Sequence, residues 1–595
     1  MVEWMKPIER SDMPEGDEWV YEVKYDGFRC ELNWTNKQVT LTSKNNHDIS
    51  NKFPEIINWC NDNYNYFKSK LPLKIDGELV ILNHCYQANF ALIQVRGRMK
   101  SIDRIEKQSA ARPATLMVFD ITEIREKKLT QNNLSLRKEI LYQLLEPIPD
   151  NEVLKYVETF TSIEEIQKIV SESKSEGVVA KKVNSTYQKG KNHHDWFKIK
   201  NWREIQCILT EYNPSNGYFA VDVLEDDNLI SVGTCKHGLL KESAETVQKL
   251  FKKQGKLVKG SYHLPPAITS IINTLDLYGS ELREPNFKSI NPNISYTECT
   301  LDKLQLDMAQ LPIEVSNTDK YLWPDVFKKK DLLVYIREIS PWMLPFLKQR
   351  ALTVIRCPDG IEEESFFQKS LPDYAPDFLS SDTIEDLIVC NQLESLVWLA
   401  NHGSIEYHVP FQRIGQVTPL EIVFDLDPPD RNLFALAVKA AKLLKQMLDD
   451  LNLVSFVKTS GNKGMQVYIP IKEGSMTYDE AGIFTEAVAK TLERAYPNDF
   501  TTERLKKNRN GRLYIDYVQH GQDKTLVSPY SPRMTEEGTV STPLYWYEVN
   551  EDLKPTAFTI ANTIERVREI GCPFAGYFET GRKQKLDKVL KMVKD

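Results

Sequence analysis

Two sets of residues in this chain have the types and spacing for nucleotidyl transfer. The first is Lys24-x-Asp26-Gly27-x-Arg29, within the run Val20-Tyr-Glu-Val-Lys-Tyr-Asp-Gly-Phe-Arg29. A lysine attacks an α-phosphate only as the neutral amine, so burial or neighbouring cations must lower its pKa, or its proton must leave at the moment of attack. The Tyr21-Glu22-Val23 run and the Asp-Gly turn after Lys24 would hold the amine at the mouth of a pocket. The second set is Asp425-Leu426-Asp427 with the distant Asp516. Ile422 to Pro429 reads as a buried strand closed by a Pro-Pro pair. A period of two puts Asp425 and Asp427 on one face, opposite Phe424 and Leu426. Arg512 to Tyr517 repeats the pattern, with Asp516 facing out and Leu513, Ile515 and Tyr517 facing in. Three carboxylates on adjacent strand ends repel one another unless cations lie among them, and such a set holds two Mg²⁺ or Mn²⁺ ions for in-line phosphoryl transfer. Taken alone, the first motif also fits a strand turn with a surface lysine, and the second fits turn aspartates before proline.

Further fragments support each set. In Leu73 to Ile81, Asp76 and Glu78 share the wet face of a strand and suit divalent-metal or ribose contacts, while Ile75, Leu79 and Ile81 face a core. Glu176-Gly177 opens another strand, and in Trp196-Phe-Lys-Ile-Lys200 the side chains of Lys198 and Lys200 point the same way, toward an anion. In the second half, Val457 to Gly464 is a small, donor-rich loop suited to a triphosphate. Arg509 and Arg533 could add guanidinium forks. Phe366-Phe367, on a charged loop, is either a stacking surface for a base or a core pair.

The elements that must position these residues divide the chain. Its 595 residues suggest three or four domains. From Glu22 to about Lys200, β-rich runs alternate with helical stretches as one α+β domain. Residues 201–290 hold short strands separated by Asn/Gly/Asp turns and read as a small β-barrel. Residues 291–311 read as a linker, and 312–595 as a domain with α/β alternation, including a long amphipathic helix from Leu433 to Leu451. Hydrophobic content of 41% and charged content of 27% are those of a folded globular protein.

A net charge of −8 excludes a uniformly basic nucleic-acid binder. Local runs are basic, however: Lys181 to Arg203, with Asp195 as the single acid, and Arg504 to Arg512, with none. Nine cysteines without a Cys-x-x-Cys pair point to reduced, buried thiols. The amino terminus shows no signal-peptide run and the chain has no membrane-spanning stretch, so a cytoplasmic, nucleoid-associated protein is expected.

On these residues, positions 1 to about 290 resemble an ATP-dependent DNA ligase: Lys24 to Arg29, Ser43-Lys44-Asn45-Asn46, Asp76-Gly77-Glu78, Phe119-Asp120, Glu176-Gly177 and Trp196 to Lys200 match that family's successive motifs. The resemblance implies an ATP-grasp-like nucleotidyltransferase domain followed by an oligonucleotide-binding fold. It implies that Lys24 takes AMP from ATP, that Glu22 and Phe119 hold adenine, and that Arg29 contacts ribose or the nick. Glu78 and Glu176 would serve sugar and metal, and Lys198 and Lys200 the α-phosphate. Lys44 stands where many relatives have arginine, replacing a bidentate fork by a point charge, and Leu282-Arg283-Glu284-Pro285 is only loosely similar to the last motif.

Residues from about 312 to 595 resemble the polymerase domain of bacterial ligase D proteins, in the archaeo-eukaryotic primase superfamily, through Thr318-Asp-Lys-Tyr-Leu-Trp-Pro, Trp398-Leu-Ala-Asn, Phe424-Asp-Leu-Asp-Pro-Pro, Lys458-Thr-Ser-Gly and Ile515-Asp-Tyr. This implies metal binding by Asp425, Asp427 and Asp516, and contacts of His408, Ser460, Lys463, Arg509 and Arg533 with the incoming nucleotide. Asn317, Lys320 and Lys330 would grip a DNA 5′-phosphate, and Phe366 and Phe367 would stack on template. Gln466 stands where relatives often carry histidine. No segment is similar to the 3′-phosphoesterase module of some ligase D proteins. The expectation is therefore an α+β multidomain enzyme that fills gaps at broken DNA ends and seals them, using ATP, nucleotides and Mg²⁺ or Mn²⁺, with a Ku-type end-binding protein as partner. The rivals are an RNA-capping nucleotidyltransferase, which predicts GTP and leaves the second half unexplained, and a non-catalytic end-bridging scaffold, which predicts damaged catalytic positions.

Overall fold

The computed structural model describes residues 4–148, 152–379, 386–522 and 524–594, in two compact units, Met1–Gln310 and Leu311–Asp595.

The first unit begins with two sheets. In one, the strands Ile8–Glu9, Trp196–Lys200, Gly177–Lys182 and Trp19–Lys24 lie side by side in that order; in the other the order is Leu154–Tyr156, Thr115–Ile124, Leu73–Val80, Phe28–Trp34 and Val39–Ser43. Alternation explains the second sheet's packing: Leu73, Ile75 and Leu79 join Leu32, Leu41, Leu116 and Val118 in one fully buried core. Across the register, Lys24 lies opposite Gly177. Two glycines permit the close approach this requires. A Cβ on Gly27 would lie 2.3 Å from the carbonyl oxygen of Leu79, and one on Gly177, which has φ +153°, would lie 2.1 Å from that of Ile199.

Residues 203–290 form an antiparallel sheet ordered Asn228–Cys235, Tyr218–Glu225, Arg203–Asn213, Ser261–Thr274 and Lys256–Val258, with Asn286–Ile290 also pairing Ser261–Thr274. Among the described residues the strand pairing of this expected small barrel is an open path. The stretch 291–311, read from sequence as a linker, is folded: Ser295 and Glu298 make a capping box, and the helix Leu301–Ala309 starts at Thr300, whose side chain accepts from Lys303 N. Leu304 and Met308 are buried in the core of the preceding sheet. Their spacing places them on one helical face, and burying that face is what ties down a stretch whose composition looks like a loop.

The second unit holds two large sheets and a two-stranded one of Tyr321–Trp323 and Phe327–Lys328. Its six-stranded sheet runs Phe500–Thr501, Leu513–Asp516, Glu421–Asp427, Met465–Pro470, Phe456–Thr459 and Pro543–Leu544, and is covered by the helices Phe434–Asp450 and Tyr478–Ala495. Its strands are antiparallel apart from the Phe500–Leu513 contact, because Ser460–Gly464 joins neighbouring strands as a short hairpin. The helix Tyr478–Ala495 begins at a capping box formed by Thr477 and Glu480. A four-stranded sheet of Phe366–Gln368, Thr353–Arg356, Ser404–Pro410 and Thr525–Val527 makes the other layer, with the helix Lys329–Leu347 packed into its core. No described helix is long and apolar enough to cross a membrane.

Candidate active sites

In the first unit, one cavity of about 430 Å³ takes in the residues the sequence assigned to this site except Asp76 and Lys200. Lys24 ends its strand there, and its Nζ donates to Glu176 Oε2 at 2.5 Å. Glu176 precedes the strand paired with that of Lys24, so the sheet register itself brings amine and carboxylate together.

Arg29 donates through Nε and Nη2 to both oxygens of Asp76, at 3.1 and 2.7 Å, and through Nη1 to the carbonyl of Met5. Asp76 also accepts from the Tyr187 hydroxyl at 2.7 Å and is 2% exposed. The wet-face reading of Asp76 is therefore corrected: its charge is used to hold Arg29, and Glu78 alone of the pair reaches the cavity. Burial pushes the Glu78 carboxyl up to about 7, helped by Glu176 and Asp76 and opposed by Lys24 and Arg29.

Glu22 is buried between two ammonium groups, Lys138 Nζ at 2.8 Å and Lys181 Nζ at 2.5 Å. Lys181 also lies 4.4 Å from the ring centres of Phe119 and Trp196. Burial lowers the Lys181 pKa, against the pull of Glu22. Sequence reasoning placed Lys181 in a surface basic run and missed Lys138; both are buried. A signal for Lys138 existed, since Leu134, Lys138 and Leu141 share the inward face of the helix Leu134–Leu145.

Lys198 pairs with Glu9 at 2.9 Å, and Lys200 with Glu284 at 2.8 Å. Arg283, from the neighbouring residue, donates to Asp26 at 2.6 Å. Lys44 lines the cavity, its pKa lowered first by burial and then by Arg29.

In the second unit, Asp425 and Asp516 face each other across adjacent strands. Burial first, then Asp516 and Asp427, push the Asp425 carboxyl up to about 7, while the Gln466 hydrogen bond opposes the shift. Burial also raises Asp516. Asp427 is taken by Lys463 at 2.8 Å and Arg509 at 3.0 Å. Among the described residues no three Asp, Glu, His or Cys side chains converge as a ready metal cage. The donor chemistry nevertheless fits a cation, because charges on Asp425 and Asp516 are mutually destabilising without one. Gln466, where relatives often carry histidine, donates through Nε2 to Asp425 at 3.1 Å and accepts from the buried Lys458 at 2.5 Å. It thus links the buried Lys458 amine to the Asp425 carboxyl without itself carrying charge.

His408 Nε2 lies 2.9 Å from Glu406 Oε2, and Arg533 Nε lies 3.0 Å from Glu406 Oε1. Burial would raise the Glu406 pKa, but the His408 hydrogen bond and the Arg533 charge hold it at about 2. Arg533 Nη1 donates to the Ser460 carbonyl at 2.6 Å, and Lys463 to that of Pro428 at 2.7 Å. The structure therefore brings His408, Ser460 and Arg533 together around Glu406, a residue that sequence reasoning missed.

Asn317, Lys320 and Lys330 meet through a turn: Lys320 N donates to Asn317 O, Lys329 N to Lys320 O and Lys330 N to Thr318 O. Lys320 pairs with Asp359 and Lys330 with Asp331. Phe366 and Phe367, 41% and 73% exposed, are not a core pair. Arg356 lies over Phe366 at 5.2 Å.

Two family models match this chain: residues 3–200 match the ATP dependent DNA ligase domain, and residues 328–574 match the LigD primase-polymerase domain. The chain is 39% identical over 604 residues to the bifunctional non-homologous end joining protein LigD of Bacillus subtilis (strain 168), covering 99% of each. It is 24% identical to the multifunctional non-homologous end joining protein LigD of Pseudomonas aeruginosa, over 99% of this chain and 74% of that one. Among solved structures, the polymerase domain of Mycobacterium tuberculosis ligase D in complex with DNA is 28% identical, covers 45% of this chain and 99% of that one, and superposes with a TM-score of 0.42. The molecule is an enzyme of two parts, an ATP-dependent DNA ligase joined to a primase-type polymerase. It belongs to the LigD family of bifunctional non-homologous end joining proteins.

Proposed function

We propose that this chain repairs DNA double-strand breaks by filling short gaps at the ends and sealing them through a lysyl-AMP intermediate on Lys24. The observation that carries this reading is the Lys24 Nζ to Glu176 Oε2 contact of 2.5 Å inside a cavity large enough for a nucleotide. Glu176 Oε2 accepts the ammonium proton, and the freed amine attacks the α-phosphorus of ATP, so that an N–P bond forms and pyrophosphate leaves. Glu22 and Phe119 hold the adenine, Arg29 the ribose or nick, and Lys198 and Lys200 the α-phosphate. AMP then passes to a DNA 5′-phosphate, and a 3′-hydroxyl displaces it as the strand is sealed.

In the second unit, Asp425, Asp427 and Asp516 would hold Mg²⁺ or Mn²⁺, which when bound neutralises developing phosphate charge. His408, Ser460, Lys463, Arg509 and Arg533 orient the nucleoside triphosphate. Asn317, Lys320 and Lys330 hold the 5′-phosphate of the gap, and Phe366 and Phe367 stack on template. In the first unit, Glu176 would hold a divalent metal beside the Lys24 cavity. The product of gap filling, a 3′-hydroxyl beside a 5′-phosphate, is what the ligase consumes. A Ku-type end-binding protein is the expected partner, on the DNA of the nucleoid in the cytoplasm.

The test is labelling with α-³²P-ATP and Mg²⁺ or Mn²⁺, followed by denaturing electrophoresis. Label on the wild type, absent from Lys24→Ala and not replaced by α-³²P-GTP, is expected. No label on pyrophosphate-treated wild type would sink the ligase reading, and labelling by GTP in preference to ATP would favour capping chemistry.

A further inference from the structure

We propose that Glu406 is a positioning residue for nucleotide binding, one carboxylate that sets both His408 and Arg533. The inference rests on the reading above that these two side chains meet the incoming triphosphate. Glu406 and His408 sit two residues apart in the strand Ser404–Pro410 and so share a face. Arg533 comes from beyond the Thr525–Val527 strand and is brought in by the main chain: Met534 N donates to Glu406 Oε1 at 3.0 Å. The carboxylate is 4% exposed; Oε2 meets His408 Nε2, Oε1 accepts from Met534 N, and Arg533 Nε forms an ion pair with Oε1 at 3.0 Å without hydrogen-bond geometry.

A buried carboxylate with its lone pairs so occupied fixes more than it stabilises. Through its contact with Nε2, it holds the His408 ring in one orientation and leaves the Nδ1 edge of the ring facing away from Glu406. By pairing with Nε of Arg533, it occupies the inner edge of the guanidinium. The Nη1 of that same guanidinium is bonded to the carbonyl of Ser460, in the donor-rich hairpin. Three elements far apart in sequence, a strand, a hairpin and a loop, are thus locked to one another through one side chain. Loss of its negative charge frees both the imidazole and the guanidinium to turn, without removing either from the site.

The experiment is steady-state gap filling by the full chain carrying Glu406→Gln, an isosteric change that retains one acceptor oxygen, alongside His408→Ala, Arg533→Ala and the combined triple variant. Glu406→Gln is expected to raise KM for the nucleoside triphosphate roughly ten-fold with kcat changed far less. The same substitution placed on the His408→Ala, Arg533→Ala background is expected to add less than two-fold, because nothing remains to be positioned. Circular dichroism and thermal unfolding of Glu406→Gln check the fold, and Glu406→Asp, which keeps the charge, is expected to recover part of the lost affinity. If His408→Ala and Arg533→Ala raise KM but Glu406→Gln does not, the positioning role falls while the nucleotide subsite stands. An equal effect of Glu406→Gln with and without its two partners would make its role purely structural and overturn the proposal. If neither partner's removal alters KM, the subsite reading fails, and the proposal falls with it.

Discussion

In the first unit Lys24 already has an acid partner, Glu176, whereas in the second unit two acids, Asp425 and Asp516, lie opposite each other across neighbouring strands. The two clusters are therefore built differently, one from ion pairs and the other around neighbouring acids. The lysine site balances its own charge: Arg29 with Asp76, Lys181 and Lys138 with Glu22, Lys198 with Glu9. In the carboxylate cluster Lys463 and Arg509 pair with Asp427, while burial, Asp516 and Asp427 push the Asp425 carboxyl up to about 7. The difference follows from the chemistry. On the proposed roles, a nucleophile built into the protein must be held and deprotonated in place, whereas a site whose nucleophile arrives on DNA needs only to be ready for the charge that comes with its substrates.

The largest effect expected is therefore a clean separation of the two activities. Asp425→Ala should lower nucleotide addition on the order of a thousand-fold or more, while formation of the adenylated chain is unchanged. Lys24→Ala should do the reverse. Primer extension and α-³²P-ATP labelling on the same preparations measure both, and loss of labelling in Asp425→Ala would show that the sites are not independent.

Next in size are two buried ion pairs, one in each unit, that make the opposite comparison because they are alike. Arg137 and Asp120 are both fully buried, with Arg137 also donating to the carbonyls of Asn132 and Ser185. Arg350 and Glu421 are each 3% exposed, with a further bond to the Pro410 carbonyl. Breaking either by Asp120→Asn or Glu421→Gln should cost about 3–5 kcal/mol, since an uncompensated guanidinium is left in the core. Replacing both partners with apolar residues should cost less than either single change. Urea unfolding of the single and double variants decides this, and additive losses would count against it.

How much of this was legible in the sequence depended on whether the partner lay nearby in it. The Asp425 and Asp427 face, and the core face of Leu73 to Ile81, follow from a period of two and were readable. The ligase and polymerase halves were readable as families, from motifs each a few residues long. Glu406 was not: His408 is its local partner, but its role as the junction of two groups needs Arg533, brought beside it from 127 residues further along the chain, a separation no local pattern spans. Asp76 looked wet because strand alternation puts it with Glu78. Its burial comes from Arg29 on the adjacent strand and from Tyr187, both long-range partners. The 291–311 stretch was misjudged for a different reason: its polar residues outnumber the spaced Leu304 and Met308 that decide where it packs.

The third test uses two glutamates with opposite shifts. Glu78 has a folded-state carboxyl raised from 4.5 to about 7, so the native chain binds more protons than the unfolded one between those values. Its contribution to stability is full below about pH 4.5 and is lost as pH rises through about 7. Glu406 is lowered from 4.5 to about 2, so the unfolded chain binds more protons in that window. Its contribution is present above about pH 4.5 and is lost as pH falls through about 2. Glu78→Gln should flatten the fall in first-unit stability between about pH 4.5 and 7, and Glu406→Gln the fall in the second unit below about pH 4.5. Hydrogen exchange resolved by segment across pH separates the units. Matching slopes in wild type and variant would remove the carboxylates as the cause.

The smallest effect sharpens the comparison by holding distance constant. Lys288 and Glu204 are 2.5 Å apart, the same separation as Lys24 and Glu176, but their side chains are 48% and 50% exposed against 20% and 7%. In the second unit, Lys439 and Asp499 are 2.6 Å apart and 45% and 32% exposed. If separation determined strength, all three pairs would be worth the same. In water, however, the Coulomb gain is small, salt screens it, and fixing two long side chains costs entropy. Lys288→Ala and Lys439→Ala should each change unfolding free energy by no more than about 0.5 kcal/mol, with nick sealing and gap filling unaltered. A loss above about 1 kcal/mol from either would mean that water screens these surfaces less than their exposure implies, and the contrast between the two active sites would then have to be reassessed pair by pair.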